Sequence, residues 1–355
     1  VLFRSQVKLS KAKFNLRDKF GDWWENATRP QRIIFRVVVI ATLYLLPFVT
    51  FPLIATTESD FSSVLFYPMG MYAIMAIGLN IIVGKSGILD LGYVAFFAIG
   101  AYTHAIMSLY VGTGFWTNVV LGMAFSMLAG VALGLPALRL RGDYLAIITL
   151  GFGEIVRIVA LNLNITGGAA GIAGIPAPPS FFGVEFTVSD PKPFYWMVLT
   201  MMLLVVWAYL RLIARRPGRA WEAIREDEDV AELMGVPTLK YKLWGFVLGG
   251  SVGGAVGAVY ASQVTSILPE LFTLNVSIMI LACVVFGGMG NIWGVAFGAA
   301  LLGYLPEKLR FLSDTRILIF GLMMVLMMNV RPDGLIPRKK REKIYDKHSG
   351  KEVMR

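Results

Sequence analysis

The chain has 355 residues, of which 56% are hydrophobic and 16% charged, and its mean hydropathy is +0.66. Soluble globular domains contain about 45–50% apolar and about 25% charged residues, so this composition excludes an ordinary soluble domain. Apolar runs of about 20 residues, long enough to cross a hydrocarbon core, recur along the sequence. The sequence therefore predicts an all-α, polytopic transmembrane helical bundle.

The predicted elements begin with a basic segment, residues 1–32, which is expected at the cytoplasmic face of a membrane. A transmembrane permease domain is predicted over residues 33–330, and a basic cytoplasmic tail over residues 331–355. About ten spans (range 8–11) are expected in the permease domain. They lie near residues 33–54, 64–83, 88–110, 118–138, 143–163, 194–213, 243–262, 274–288, 292–306 and 315–330. The pair 274–288 and 292–306 is short, so broken or re-entrant helices are the alternative there.

Positive charge is confined to a few segments of the chain. Of the 33 Lys and Arg residues, nine lie in residues 1–36, seven in 211–242 and nine in 331–355. Three more stand in short turns, at Lys85, Arg139 and Arg141. In a ten-span arrangement all 28 lie on one side, and loops rich in Lys and Arg remain in the cytoplasm. Both termini are therefore predicted to be cytoplasmic, and the net charge of +10 argues for membrane topology rather than nucleic-acid binding.

The longest predicted external connection covers residues 164–193. It contains TGGAAGIAGIPAPPS (Thr166–Ser180), whose Gly and Pro density prevents a regular helix. A flexible connector and a structured external cap are the two alternatives for this region.

One hydrophilic loop, residues 214–242, lies between two long apolar runs. Pro217 and Gly218 end the preceding span, and Gly235 followed by Pro237 marks the end of a helix. A single amphipathic helix is predicted over residues 218–235. Its apolar residues are Ala220, Ala223, Ile224, Val230, Ala231 and Met234, and its polar residues are Glu222, Arg225, Glu226, Asp229 and Glu232. The pattern alone is typical either of a solvated loop helix or of a segment that a soluble partner grips.

Two charged residues, Glu154 and Arg157, stand three apart within the predicted span 143–163. Charges inside a span are costly unless they are paired or face a cavity, and this spacing places them on one helix face. A structural ion pair and a polar lining of a transport path are the alternatives. Asp90 and Asp143 lie near predicted span starts, where the helix dipole favours a carboxylate, so both are expected to cap helices.

Glycines recur at four-residue intervals in the last third of the chain. Small residues at this spacing let helix backbones approach closely in lipid, so helix packing is predicted, with a path-lining role as the alternative. The positions are Gly249, Gly250, Gly253, Gly254, Gly257, Gly290, Gly294 and Gly298.

The sequence contains no recognisable catalytic or metal-binding pattern. Cys283 is the single cysteine, and His104 stands alone in an apolar run. Gly84–Ser86 resembles the end of a P-loop, but Leu79 occupies the position that the first glycine requires. The chain is therefore expected to be neither an enzyme nor a nucleotide-binding subunit, and no metal site is predicted.

Four stretches carry a family resemblance, in the same order along the chain. They are GLNIIVGKSGILDLGYVAFFAIGAYT (Gly78–Thr103), LRLRGDYLAIITLGFGEIVRIVALN (Leu138–Asn162), GRAWEAIREDEDVAELMGV (Gly218–Val236) and ILACVVFGGMGNIWGVAFGAALLG (Ile280–Gly303). Together they resemble the LivM-type permease subunits of branched-chain amino acid ABC importers.

The resemblance implies a multi-pass protein of the bacterial inner membrane, surrounded by membrane lipid, that translocates leucine, isoleucine and valine. It implies a second, homologous permease subunit of the LivH type, a periplasmic substrate-binding protein and two cytoplasmic ABC ATPase subunits. ATP and Mg would bind to those ATPases, and no cofactor to this chain. The residues expected to couple to the ATPases are Gly218, Arg219, Ala220, Glu222, Ala223, Ile224, Arg225, Glu226, Ala231 and Gly235. A permease for urea, short amides or other amino acids and an ion-coupled secondary transporter are the alternatives.

Overall fold

The computed structural model describes most of the chain. The described residues are 28–48, 61–138, 140, 142–180, 185–187, 190–308, 316–331, 334–336, 343–345 and 352–354. The chain divides into two compact units, Val1–Thr50 and Phe51–Arg355.

The N-terminal unit contains helix α1 (Arg29–Leu45), which continues as a 3-10 turn over Leu46–Phe48. A capping box starts the helix, in which the Thr28 backbone N–H donates to Gln31 Oε1 at 2.9 Å. The apolar part, Val37–Phe48, lies within the predicted span 33–54, of which residues 49–54 are outside the described part.

The first described helices of the larger unit are α2 (Phe61–Val64) and α3 (Met71–Leu79). Two π-helical segments, Leu65–Gly70 and Asn80–Lys85, complete these helices into one span, Ser62–Lys85. The helices that follow are α4 (Val94–Ile106, continued by a π-helical segment, Met107–Val111), α5 (Phe115–Ala137), α6 (Asp143–Asn162), α7 (Lys192–Ile213), α8 (Arg216–Glu226), α9 (Glu228–Leu233), α10 (Thr238–Val264), α11 (Leu274–Gly287), α12 (Ile292–Lys308) and α13 (Arg316–Val330).

Among the described residues, seven helical stretches are long and apolar enough to cross a membrane. They are Ser62–Lys85, Val94–Val111, Phe115–Ala137, Tyr144–Asn162, Lys192–Ile213, Thr238–Val264 and Pro269–Gly287. This confirms the predicted all-α polytopic class. Helices α1, α12 and α13 coincide with the other three predicted spans, but they have 17, 17 and 15 residues, fewer than the roughly 20 of a full crossing. The cytoplasmic placement of both termini stays a prediction.

The predicted span 88–110 begins later than expected, at Val94, because residues 86–93 form a partly buried link that is mostly non-helical. The backbone N–H of Leu91 donates to Thr149 Oγ1 at 3.0 Å, and that of Gly92 donates to Asp90 Oδ1 at 2.9 Å. Asp90 thus holds a turn within the link. The prediction that it caps a helix is wrong, since the cap residue of α4 is Tyr93. A side chain can replace helical hydrogen bonds where the backbone is shielded from lipid by protein.

Helix α10 forms the centre of the larger unit and packs against α3, α4 and α5. Its glycines allow this close approach. A Cβ atom added at Gly249 would lie 2.6 Å from Ile82 Cδ1, and one added at Gly257 would collide with the Phe97 carbonyl oxygen. The Tyr93 hydroxyl also donates to the Gly249 carbonyl oxygen at 2.8 Å. Backbones in contact thus hold the core together.

The described part of the connection between α6 and α7 is structured. Two 3-10 turns, Asn164–Thr166 and Gly168–Ala170, lead into β1 (Ile172–Ala173). Strand β1 pairs antiparallel with β2 (Ser266–Ile267), and the Ile175 N–H donates to the Thr265 carbonyl oxygen at 3.0 Å. These bonds favour the cap over the flexible connector.

Two further strands lie in the C-terminal tail. Strand β3 (Lys343–Tyr345) pairs antiparallel with β4 (Glu352–Met354), a pairing that the polar composition of the tail did not predict.

Candidate functional site

The hydrophilic loop between α7 and α10 contains two helices, α8 and α9, where the sequence predicted one. Asp227 separates them in an extended conformation (φ −158°, ψ 116°) and its Oδ1 accepts from the Val230 N–H at 3.0 Å. An aspartate in that role is a strong N-cap, so Asp227 starts a new helix instead of continuing α8. Gly235, with φ +83°, ends this α8–α9 segment (residues 216–235), and α10 begins at Thr238.

The inner face of the α8–α9 segment packs against the chain itself. Trp221 is 1% exposed, and its Nε1–H donates to the Tyr241 carbonyl oxygen at 2.7 Å. Ala220, Ile224 and Ala231 are buried as well. Part of the predicted apolar face is therefore inaccessible to a partner protein, because these three side chains are buried within the chain.

Two buried lysines form ion pairs with the inner face of the segment. Lys85 Nζ lies 3.3 Å from Glu222 Oε1, and Lys242 Nζ lies 2.5 Å from Glu228 Oε2. Each lysine side chain is 6% exposed. Glu222 was predicted on the polar outer face, and the structure instead directs it to Lys85.

Arg225 was also predicted on the polar outer face, but its side chain points toward the bundle. Its Nη1 donates to the Gly84 carbonyl oxygen. Gly87 lies against the same side chain, since a Cβ atom at Gly87 would approach Arg225 Cγ to 3.1 Å, and its φ of +72° also favours glycine.

The close fit of Gly218 completes the inner face. A Cβ atom there would collide with the Ile213 backbone, so α8 can turn directly beneath the end of α7. Ala223 is half-buried at the edge between the two faces.

The outer face of the segment combines charged residues with an apolar patch. Val230 is 54% exposed, Leu233 86% and Met234 79%, and their spacing places them on one side around α9. The exposed polar residues are Arg216, Arg219, Glu226, Asp227, Asp229 and Glu232. Sequence analysis had placed Val230 and Met234 on the same face as the buried alanines and had not singled out Leu233. The spacing of three residues from Val230 was the signal that could have identified it.

A cavity of about 240 Å³ lies beside the inner face of the segment. Ile224, Arg225 and Glu228 line it on one side, and the turn that precedes α6 lines it on another. Charged and apolar side chains thus share its walls.

The second predicted polar site, in α6, forms as an ion pair. Arg157 Nε donates to both carboxylate oxygens of Glu154 at 3.0 Å. The Arg157 side chain is 25% exposed and that of Glu154 42%. The pair borders an exposed apolar stripe along α6, formed by Tyr144, Ile147, Ile148, Ile155, Ile158 and Val159. Within the described residues no cluster of potential metal ligands occurs.

The remaining predicted glycines surround the turn between α11 and α12. Gly290 lies in this turn with φ +88°, outside a helix, and its N–H donates to Asn80 Oδ1 at 2.8 Å. Asn80 Nδ2 donates to the Tyr209 hydroxyl at 3.0 Å. Sequence analysis missed Asn80, although an amide within an apolar run was a signal.

Gly294 and Gly298 both face Gly287. A Cβ atom at Gly298 would lie 2.7 Å from Gly287 Cα, and one at Gly294 would collide with the Gly287 carbonyl oxygen. The backbones of α11 and α12 are thus in direct contact. Gly250, Gly253 and Gly254 of α10 are buried in the same manner against α4 and α5.

Residues 63–328 match the family model described as branched-chain amino acid transport system / permease component. The chain is 43% identical over 288 residues to the high-affinity branched-chain amino acid transport system permease protein LivM of Salmonella typhimurium, covering 75% of this chain and 68% of that protein. It is 25% identical over 295 residues to LivH of Escherichia coli (77% and 93% covered). It is 30% identical over 254 residues to the L-arabinose transport system permease protein AraH of the same species (66% and 75%). No solved structure matches the chain.

The matched region extends from α2 into α13 and includes every feature of the site described above. The apolar helices agree with the family, because a permease must cross the membrane several times. The chain is a multi-pass membrane protein and belongs to the family of permease components of branched-chain amino acid transport systems.

Proposed function

We propose that this chain is the membrane-spanning permease subunit of an ATP-driven importer that brings leucine, isoleucine and valine across a bacterial inner membrane. Its family supports the permease role and the substrate class. The observation that carries the ATP-driven mechanism is the α8–α9 segment, which is ordered, lies between two spans and presents an apolar patch outside them. A soluble partner would cover this patch.

The partner that fits the patch is a cytoplasmic ATPase. Val230, Leu233 and Met234 are exposed and lie outside the candidate spans. A contiguous exposed apolar patch is typical of a protein or membrane interaction site, and the acidic rim of Glu226 and Glu232 would favour a protein groove with basic residues. ATP and Mg would bind to two such ATPase subunits and not to this chain.

The exposed stripe of α6 would meet a second, homologous permease subunit. A charged pair within a span is costly in lipid and is usually directed toward protein or a water-filled cavity. Glu154 and Arg157 stand at the edge of this stripe and are partly exposed. The similarity to both LivM and LivH supports a permease pair of this kind, with the substrate path between its members.

Transport would proceed by alternating access. A binding protein would deliver the substrate at the end of the bundle where β1 and β2 form a cap, opposite the α8–α9 segment. ATP-dependent closure of the ATPases would displace the segment and, through it, the spans to which it is attached. The path would then open to the cytoplasm.

Replacing Leu233 with Asp tests the docking site. Leu233 is 86% exposed, so the substitution leaves the fold of the isolated chain intact. It would place a charge in the buried centre of the interface, at a cost of roughly 1–3 kcal/mol or more. We expect normal membrane levels, loss of ATPase co-purification and loss of leucine uptake. The matched control is Ile165→Asp. Ile165 is an apolar residue, 51% exposed, just after the C-terminal end of α6 and away from the segment, so this variant should retain ATPase association.

Uptake measurements in liposomes separate the alternatives. Leucine uptake that requires ATP and is competed by isoleucine and valine supports the proposal. Uptake without any ATPase, driven by an ion gradient, would instead identify a secondary transporter. Competition by urea, short amides or L-arabinose, but not by valine, would refute the substrate.

A further inference from the structure

Two buried lysines stand at the ends of two different spans. Lys85 is the last residue of the span Ser62–Lys85, and Lys242 lies in the second turn of α10. Lys85 pairs with Glu222 of α8 at 3.3 Å, and Lys242 pairs with Glu228 of α9 at 2.5 Å. Each helix of the α8–α9 segment is thus joined by an ion pair to a different span.

A hydrogen bond to a backbone carbonyl oxygen accompanies each ion pair. Arg225 donates to the carbonyl oxygen of Gly84, next to Lys85, and Trp221 donates to that of Tyr241, next to Lys242. The segment is therefore held at the same two places by a side-chain charge and by a backbone acceptor.

Because the two lysines are buried, their ammonium groups depend on the paired carboxylates. With 6% of each side chain exposed, neither ammonium group keeps a full hydration shell. The carboxylates are more open, since 36% of the Glu222 side chain and 26% of the Glu228 side chain are exposed. Exposed ion pairs contribute little, but removing the carboxylate beside a buried ammonium group destabilises that group. When the segment moves, each lysine keeps its partner only if its span moves with it.

We infer that Lys85, Glu222, Lys242 and Glu228 are positioning residues that make the α8–α9 segment and these two spans move as one body. A displacement imposed on the segment then reaches the bundle and is not absorbed by a flexible loop. The inference rests on the proposed function, since a docked ATPase supplies the displacement.

The cavity beside the segment provides room for such a movement. Its walls are the segment on one side and Leu140, Gly142 and Leu145, around the start of α6, on another. The cavity of about 240 Å³ is partly open to the surface, so the segment can be displaced toward α6 without a clash. The body formed by the segment and its two spans can therefore shift relative to α6.

The test uses the complete importer in liposomes, with the second permease subunit, the ATPases and the binding protein, and measures ATP hydrolysed per leucine transported. Glu222→Lys brings two ammonium groups together. We expect it to raise that ratio at least about fivefold, the lower end of usual coupling between sites. The exchange Lys85→Glu with Glu222→Lys restores an ion pair and should return the ratio to near the parent value.

Two lysines that are two residues apart supply a matched control. Lys242 is buried, whereas Lys240, two residues earlier, is exposed. Lys242→Met should raise the ratio and Lys240→Met should leave it unchanged. If Glu222→Lys does not assemble, the double variant Lys85→Met with Glu222→Leu removes both charges of the pair, so neither remains without the other. We expect this double variant to assemble and to show the raised ratio.

The alternative is a purely structural role for the ion pairs. It predicts fewer assembled complexes but an unchanged ratio in those that form, and this result would overturn the inference. An equal rise with Lys240→Met would also overturn it. A parent importer that shows no ATP-dependent uptake would refute the proposed function instead, so the two failures are distinguishable.

Discussion

Helices α10 and α6 are both long and apolar, yet they occupy opposite environments. In the most apolar stretch of α10, 78% of the residues are buried within the chain, against 28% for α6, although α6 is the more hydrophobic of the two. Inside a membrane, lipid solvates apolar side chains as well as protein does, so hydrophobicity does not decide which helix lies at the centre.

Side-chain size explains the difference. Helix α10 carries its glycines where the backbones of α3, α4 and α5 approach, and these contacts bury it. Helix α6 presents isoleucines along an exposed stripe, with the Glu154–Arg157 pair at the edge. The buried helix therefore organises the chain itself, and the exposed helix is left for lipid or for a second subunit.

The largest effect is expected when a leucine replaces one glycine of α10 and, for comparison, one glycine of α6. In Gly257→Leu the new side chain would collide with the Phe97 carbonyl oxygen, whereas at Gly151 of α6 an added Cβ meets no heavy atom within 4 Å. Overpacking of a rigid site costs about 1–3 kcal/mol or more. We expect Gly257→Leu to abolish monodisperse, detergent-extracted protein and Gly151→Leu to leave its amount unchanged. Equal yields of the two variants would refute the difference between the helices.

A smaller effect is expected from the ion pair of α6. Arg157→Leu leaves the Glu154 carboxylate without its partner, so the amount of folded protein in the membrane should fall severalfold. The double variant Glu154→Gln with Arg157→Leu carries no charge and should restore that amount. Restored protein without restored leucine uptake would place the pair in the path, and restored uptake would leave it a structural role alone.

The smallest effect sharpens the assignment of the α6 stripe. In a Cys283→Ala background, a cysteine at Ile155, which is 59% exposed, should react with a lipid-soluble maleimide in the isolated chain. A cysteine at Val256 of α10, which is 1% exposed, should remain unreacted. Addition of the second permease subunit should slow labelling at position 155 by severalfold. Labelling at an unchanged rate in the assembled pair would show that lipid, not protein, covers this stripe.

The membrane class and the positions of most spans were predictable from the sequence alone. Bilayer thickness sets the length of an apolar run, so hydropathy located the helices from Ser62–Lys85 to α13 with errors of a few residues. The link after Lys85 was the exception, because its non-helical backbone is shielded by residues as distant as Thr149. The ion pair of Glu154 and Arg157 also followed from the sequence, since both partners lie on one turn of one helix.

The faces of the α8–α9 segment were decided by the tertiary structure. Helical periodicity shows that a segment has two faces, but at a membrane surface either face can turn inward. Glu222 turned inward because Lys85, 137 residues earlier, is buried beside it. The helix break at Asp227 is local, since its side chain caps α9 through Val230, but the burial of Ala231 in the folded chain is what leaves Leu233 on the solvent side. The amino-acid pattern of a segment records its own periodicity, whereas its orientation depends on charges and surfaces that only folding brings next to it.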